Sequence, residues 1–300
     1  METDQPKPPV IEFRHVSLWF DEKVALDDIS FELASGEMIF LTGASASGKS
    51  MLLHLAMGLL KPDAGQILID GREIEVLDET ELLDIRAGRM GIAFQEDSLF
   101  TGLSVYDNAA YRLHEQGVPQ AEAERSVLEV LRFVGLDQDA EKFPEELSGG
   151  MRRRLEIARA LIGWPSIMLF DEPTSSLDPI SAGKVLDLII RARDIQHISS
   201  IYVTKKPYEI PYLNGHCANT RPDGAVTIDE VSGVAAPRTR VIVLDAGRIG
   251  FTGSVAEFEA STLPTVTRLT SAEDGTTFSD FHTADPWDKE RHPKEPILGR

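Results

Sequence analysis

The segment "GASASGKS", Gly43–Ser50, fits the pattern G-x-x-x-x-G-K-[ST], which is typical of phosphate-binding loops. The apolar run "MIFLT" before it predicts a strand, and the apolar spacing of "GKSMLLHLAMGLL" predicts a helix after it. Glycines let such a loop turn its N–H groups toward an anion, and the helix start adds a partial positive charge. We therefore expect Lys49 to reach the β- and γ-phosphates of a nucleotide and the Ser50 hydroxyl to bind Mg²⁺.

A second apolar run, "IMLFDEP" at 167–173, ends in two acids, Asp171 and Glu172. At the end of a buried strand in a P-loop fold, one carboxylate holds Mg²⁺ through its water shell, and an adjacent one orients or deprotonates the attacking water. The run "SSIYVT" at 199–204 predicts another buried strand, and the segment "ISAGKVLDLIIRARDI" at 180–195 predicts a helix between the two. This strand, helix, strand succession predicts a parallel sheet.

A third segment, "LSGGMRRRLEIARALI" at 147–162, predicts a second anion site at a helix start. Ser148, Gly149 and Gly150 present a hydroxyl and flexible backbone N–H groups there. Two phosphate-binding helix starts in one domain make sense if a second copy of the chain closes on the nucleotide.

Composition and charge argue against several other classes of protein. The formal charge is −19 at pH 7 and the pI is about 4.8, which disfavours a nucleic-acid partner, because such binding depends on neutralising phosphates. The single cysteine, Cys217, fits a reducing compartment. No run of eighteen apolar residues and no signal-peptide pattern is found in the sequence, so a role at a membrane would require a partner that spans it.

The pattern along the chain predicts one large domain with polar ends. Two segments between Ser104 and Gly163 carry apolar residues three and four apart, which predicts helices. A stretch rich in Gly, Pro, Asn and Asp predicts a polar insertion or hairpin later in the chain. The predicted divisions are a polar lead at 1–9, the main domain at 10–261, its helical subdomain at about 97–163, its insertion at about 214–240, and a polar tail at 262–300.

Together these segments resemble the ATP-binding cassette (ABC) ATPases, whose motifs occur here in family order over roughly residues 10–260. The matching segments are the Walker A loop at Gly43–Ser50, the Q-loop at Gln95, the signature "LSGGM" at 147–151, Walker B at 167–173, and the D-loop "SSLD" at Ser175–Asp178. The resemblance implies an α/β fold, a P-loop NTPase cassette with a RecA-like core, an antiparallel β subdomain and a helical subdomain. It also implies an ATPase that uses ATP and Mg²⁺.

The resemblance further implies roles for individual residues. Phe20 would stack on the adenine, with Trp19 as a neighbouring candidate, and Glu172 would be the catalytic carboxylate. Ser148 and Gly150 would contact the γ-phosphate across a homodimer interface. The implied ATP-binding residues are Phe20, Gly43, Ala44, Ser45, Ala46, Ser47, Gly48, Lys49, Ser50, Met51, Gln95, Ser148, Gly149 and Gly150, and the implied Mg²⁺-binding residues are Ser50, Gln95 and Asp171.

Finer features resemble the cassettes of MCE-type (mammalian-cell-entry) transporters of phospholipids and related lipids. The methionine after LSGG and the segment "SLFTGLSVYDNAAY" at 98–111 carry this resemblance. Amino-acid importers have similar segments, so a transporter of amino acids or other small solutes is the alternative. The implied partners are a second copy of the cassette, membrane permease subunits that dock beside the Q-loop and helical subdomain, and an MCE-domain protein. The implied location is cytoplasmic, on the inner face of the cell membrane through the permease.

Two residues of the phosphate loop depart from the family pattern. Ala46 stands where a glycine is usual, which matters only if the backbone there needs a positive φ angle. Met51 stands where a threonine is usual, which removes a hydroxyl near the α-phosphate and would weaken binding by about 1 kcal/mol.

A larger departure lies in "IYVTKKP", Ile201–Pro207, where Lys205 takes the place of the family's switch histidine. Three interpretations are open. Lys205 replaces the histidine functionally, because an ammonium is a compact charge that binds phosphate; the site is degenerate and hydrolyses slowly or not at all, as a regulatory cassette would; or Lys205 points to solvent. Since Glu172 is intact, we expect slow but real hydrolysis, with Lys205 in a catalytic role and Lys206 as a solvated turn residue.

Overall fold

A computed structural model describes residues 8–21, 23–95, 98–231 and 237–271. Its strands are β1 (Ile11–Phe20), β2 (Lys23–Leu33), β3 (Met38–Gly43), β4 (Ala64–Ile69), β5 (Arg72–Glu73), β6 (Met90–Ala93), β7 (Ile167–Asp171), β8 (Ser199–Val203), β9 (His216–Thr220), β10 (Val226–Glu230), β11 (Thr239–Asp245) and β12 (Arg248–Gly253). Its helices are α1 (Lys49–Ala56), α2 (Glu79–Arg89), α3 (Val105–Glu115), α4 (Gln120–Val134), α5 (Gly149–Leu161), α6 (Pro179–Ile195), α7 (Glu209–Gly215), α8 (Val255–Glu259) and α9 (Pro264–Thr270).

The central element is a six-stranded sheet in the order β12-β11-β3-β8-β7-β6. All its neighbours pair in parallel except β12, which runs antiparallel to β11. Strand β8 lies between β3 and β7, and Val203 pairs with both Leu41 and Asp171. The phosphate loop, the two acids and the turn that carries Lys205 therefore leave the sheet at the same edge, as the strand patterns predict.

Two apolar cores cover the faces of this sheet, because successive side chains of a strand point to opposite sides. In β3, Phe40 packs into one core and Leu41 into the other. The first core joins the sheet to helices α3 to α6, and the second joins it to α1, α2 and a four-stranded antiparallel sheet of order β2-β1-β4-β5. Strands buried on both faces account for the near-continuous apolar runs of β7 and β8.

The helical stretch contains α3, α4 and α5, which contact one another. Ser104 caps α3 by accepting a hydrogen bond from the Asp107 N–H, and Ser148 caps α5 in the same way through the Met151 N–H. Gly135, in the left-handed conformation, ends α4. The helices predicted from the apolar spacing in this stretch are confirmed.

The chain differs from the sequence-based expectation at its polar segments. The stretch given as an insertion begins inside α7 and ends inside β11, and between them β9 and β10 form the expected hairpin. Its residues 232–236 lie outside the described ones, as do 1–7 of the lead. The polar tail given from residue 262 begins with α9, which buries Val266. Residues 272–300 of the tail lie outside the described residues.

Candidate nucleotide site

The phosphate loop connects β3 to α1 and wraps around the Lys49 side chain. A side chain at Gly43 would collide with the backbone oxygen of Leu244, since its Cβ would lie 2.2 Å away. The Lys49 ammonium donates to the backbone oxygens of Gly43 and Ala44, each at 2.8 Å. Burial lowers the pKa of Lys49 to about 8, and the nearby charge of Glu172 opposes this shift. The ammonium is thus hydrogen-bonded to backbone oxygens inside the loop. A phosphate can replace these oxygens as its acceptor.

The two departures from the family pattern in this loop have different structural consequences. Ala46 has φ +60°, so the condition under which a missing glycine matters is met. This left-handed conformation costs an ordinary L-residue about 1 kcal/mol. Met51 is half-buried and packs against the apolar core that lies under α1. Its thioether stem therefore serves packing.

Asp171 ends β7 and is buried, with 4% of its surface exposed. Burial raises its pKa, while a hydrogen bond from the Ser50 hydroxyl acts in the opposite direction. Its Oδ1 atom is buried and has no hydrogen-bond partner among the described residues. A buried carboxylate oxygen without a donor is costly, and a divalent cation beside it would remove that cost. Asp171 and Ser50 therefore fit the role of Mg²⁺ holders.

Glu172 forms an ion pair with Lys205, whose Nζ lies 2.8 Å from Glu172 Oε1. Only 9% of the Glu172 side chain is exposed, whereas 39% of the Lys205 side chain is. Glu172 also has φ +49°, an uncommon backbone conformation for a residue other than glycine. The interpretation in which Lys205 points to solvent is therefore not what the structure shows.

Lys206 is not the solvated turn residue that the sequence suggested. Its ammonium donates to the backbone oxygen of Thr174 at 2.9 Å and lies 4.0 Å from the Glu209 carboxylate. The reason is that the turn after β8 folds back over the loop after β7, which gives the Lys206 ammonium a backbone acceptor. Sequence reasoning also missed Glu209, and the signal that could have found it is an acid four residues after Lys205 on an otherwise apolar helix start.

The other predicted residues lie in the antiparallel sheet, after β6 and in the phosphate loop. Phe20 and Trp19 end β1 in the antiparallel sheet, where both rings are exposed. Gln95 follows β6 and is exposed, and its backbone oxygen accepts a hydrogen bond from Arg153 at 2.9 Å. Ser45 and Ala46 are exposed in the loop, and Ser47 is buried.

The signature residues lie at the start of α5. Gly150 packs against α6, where a Cβ atom would stand 2.8 Å from the Ser181 hydroxyl oxygen. Ser148 and Gly149 are exposed. The loop after β7 and the signature therefore both adjoin the beginning of α6. Because Ser148 and Gly149 are exposed there, the signature is accessible to another molecule.

The described part of the chain contains no helix long and apolar enough to cross a bilayer. Residues 26–175 match the family model described as ABC transporter. The methionine import ATP-binding protein MetN of Leifsonia xyli is 36% identical over 261 residues, which cover 86% of this chain and 69% of that protein. MetN of Carboxydothermus hydrogenoformans is 40% identical over 180 residues, 60% of this chain and 53% of that protein.

Solved structures with the same fold include the dimeric, post-hydrolysis state of the ATP-binding cassette MJ0796 bound to ADP and Pi. It matches with a TM-score of 0.68 at 26% identity, over 82% of this chain and 98% of that one. The cbiO1 cassette of Clostridium perfringens has the same fold, with a TM-score of 0.70 over 88% of this chain and 99% of that one.

These matches define the class of protein, a P-loop cassette built on a mixed sheet with an antiparallel subdomain and a helical region. The chain belongs to the ABC transporter family. Cassettes of this family are ATPases that bind ATP with Mg²⁺. The chain spans between about half and two thirds of the length of the curated relatives it matches.

Proposed function

We propose that this chain is the ATP-hydrolysing subunit of a membrane ABC transporter. The observation that carries the proposal is the common edge where β3, β7 and β8 end, which places a phosphate loop, the acids Asp171 and Glu172, and Lys205 side by side. A bound nucleotide at this edge would have its phosphates on the loop and its terminal phosphate toward Glu172. The Lys49 ammonium would leave its two carbonyls for the phosphates, because a charged acceptor binds an ammonium more strongly than a carbonyl does.

Hydrolysis needs a positioned water and compensation of the charge that develops on the phosphoryl group. Glu172 would accept a hydrogen bond from the water and orient it, and Asp171 and Ser50 would hold Mg²⁺, which supplies charge compensation. Lys205 would serve in place of the switch histidine. Its ammonium has three N–H donors, so it can keep its ion pair with Glu172 and donate to the γ-phosphate at the same time.

The signature residues Ser148 to Gly150 would bind the same nucleotide from a second copy of the chain. The exposed position of Ser148 and Gly149 at the start of α5 supports this arrangement, and so does the dimeric form of the solved cassette MJ0796. Permease subunits would dock beside Gln95 and the helical stretch, and would hold the cassette at the cytoplasmic face of the membrane.

We propose an amino acid, such as methionine, as the transported solute. This is the alternative that the sequence left open, and the relatives that match over most of this chain are named as methionine import proteins. Lipid transport of the MCE type is supported only by the sequence resemblance at the signature methionine and at 98–111. None of the relatives reported above is named for lipid transport. Purification from detergent extracts with the bound permease separates the two, because an MCE-domain protein among the copurifying chains would contradict the amino-acid proposal.

The test of the ATPase is phosphate release by the full chain with its permease, compared with Glu172→Gln. We expect slow turnover in the wild type and a loss of at least about a hundredfold in the variant, because the amide cannot accept the water's proton. Equal rates for the two proteins would contradict hydrolysis at this site and would favour a regulatory cassette that binds ATP only.

A further inference from the structure

A buried carboxylate, Glu209, lies behind the site and is used by none of the steps above. It is 1% exposed at the beginning of α7. Three hydroxyl groups donate to it: Tyr202 at 2.8 Å, Thr204 at 2.6 Å, and Thr174. Each hydroxyl has a single proton to give. The Thr204 hydroxyl lies nearer to Glu209, at 2.6 Å, than to its other acceptor, the Lys206 backbone oxygen, at 3.3 Å.

The charge of this carboxylate is balanced by Lys206. Burial raises the pKa of Glu209, and the hydroxyls of Thr174 and Thr204 together with the Lys206 ammonium oppose that shift. Lys206 Nζ lies 4.0 Å from Glu209 Oε1 and donates at 2.9 Å to the Thr174 backbone oxygen. Removal of the ammonium would leave a buried acid with no ion-pair partner among the residues that the structure describes, which is costly.

The same groups hold the backbone on both sides of Lys205. The Thr204 hydroxyl, which donates to Glu209, also accepts a hydrogen bond from the Lys206 N–H at 2.9 Å. The Glu209 N–H donates to the Lys206 backbone oxygen at 3.0 Å. Thr204 and Lys206 are thus both fixed, and Lys205 projects from the short turn between them.

The cluster formed by Glu209, its three hydroxyl donors and Lys206 also reaches the loop that carries Glu172. Thr174 stands two residues after Glu172 and one before the D-loop, and the cluster holds it by its hydroxyl and by its backbone oxygen. The loop after β7 and the turn after β8 are therefore clamped to one buried acid. The ion pair between Lys205 and Glu172 joins the same two segments at the candidate nucleotide site.

We propose that Glu209 and Lys206 are positioning residues, which hold the turn after β8 against the loop after β7 and so set the reach of Lys205 to Glu172 and the nucleotide. The kinetic part of this inference rests on the proposed function. Lys206 touches no phosphate in this arrangement and acts through the placement of its neighbour.

The test compares Lys206→Met with Lys206→Arg and with Lys61→Met, a matched change at an exposed lysine outside the site. We expect kcat for ATP hydrolysis to fall about tenfold in Lys206→Met, because small misplacements of a catalytic group are costly. The KM for ATP should stay within about twofold, because the phosphate loop is untouched. Lys206→Arg keeps a donor and a charge and should recover most of the rate, and Lys61→Met should match the wild type.

A second measurement does not depend on hydrolysis. Hydrogen exchange of the peptide that covers the turn after β8 should be at least about tenfold faster in Lys206→Met than in the wild type, and unchanged in Lys61→Met. Wild-type exchange in Lys206→Met would overturn the proposal even if the wild type shows no ATPase activity. An unchanged kcat, or a loss that Lys206→Arg fails to recover, would overturn it as well. Absence of Glu172-dependent hydrolysis in the wild type would instead contradict the proposed function, and exchange would then decide this inference alone.

Discussion

Single residues account for the features that distinguish this cassette from its family pattern. Lys205 stands where the pattern has a histidine, and the structure places its ammonium on the candidate catalytic carboxylate. An ammonium is charged at neutral pH and has a longer stem than imidazole, so it reaches Glu172 from a partly exposed position. The contact neutralises the acid while no phosphate competes for the ammonium.

Ala46 is a second residue whose effect can be measured separately. Its φ of +60° suits glycine better than alanine, so Ala46→Gly should raise the free energy of unfolding by about 0.5–1 kcal/mol, after the greater flexibility of glycine in the unfolded chain is subtracted. Denaturant unfolding measures this change. Ala44→Gly, in the same loop but without a positive φ, is the control and should lower stability. A loss of stability in Ala46→Gly would contradict the argument from strain.

The adenine contact can be assigned between two neighbouring rings. Phe20 and Trp19 are both exposed at the end of β1. We expect Phe20→Ala to weaken ATP binding about fivefold, since an aromatic stack contributes about 1 kcal/mol. Trp19→Ala serves as the matched change and should leave the dissociation constant within about twofold. The reverse order, measured by equilibrium binding of a fluorescent ATP analogue, would reassign the contact to Trp19.

Helix α6 directly follows the D-loop. Asp178, the last residue of the D-loop, caps the start of this helix. The carboxylate accepts a hydrogen bond from the Ser181 N–H at 3.0 Å, which caps the helix. Asp178→Ala should lower the free energy of unfolding by about 1 kcal/mol, and Asp178→Asn should lose much less, because an amide oxygen caps almost as well. Equal losses for both variants in denaturant unfolding would contradict the role of the cap.

The same carboxylate gives this cap a pH dependence. Hydrogen bonds from Ser181 lower the pKa of Asp178 in the folded chain. A lowered pKa stabilises the fold above the unfolded value, near pH 4, and this stabilisation is lost as the pH falls through the lower, folded value. The stability difference between the wild type and Asp178→Asn should therefore be constant from pH 7 to about pH 5 and should shrink below pH 4. A stability difference between the two proteins that stays the same down to pH 3 would contradict this pH dependence of the cap.

Helix α7 shows why one element could not be predicted. The segment "PYEIPYLNG" carries two prolines, which favours a loop in sequence-based reasoning. Pro211 falls in the first turn of the helix, where its missing N–H has no intrahelical acceptor in any case. Tertiary packing of Ile210 and Leu213 into the first core then supports a helix of seven residues.

At the scale of the whole molecule, the parallel core and its nucleotide edge can be predicted from the sequence. Apolar runs that end in a glycine-rich loop or in paired acids are compatible with only a few sheet topologies. The direction of individual side chains at this edge cannot be predicted from the sequence. Lys205 and Lys206 are adjacent and alike, yet one meets Glu172 and the other the Thr174 backbone. That difference depends on how the turn after β8 folds over the loop that carries Thr174, 32 residues before Lys206 in the chain.

Lys205 is proposed to replace the switch histidine in hydrolysis, and phosphate release by Lys205→Ala at saturating ATP and Mg²⁺ tests this role most directly. The full chain with its permease should be measured, with Lys61→Met as the control for loss of a surface lysine. We expect Lys205→Ala to fall at least about tenfold below the wild type, because a charge that stabilises the transferring phosphoryl group is lost. A rate for Lys205→Ala equal to or above that of the wild type would contradict this role and would mean that Lys205 inhibits Glu172.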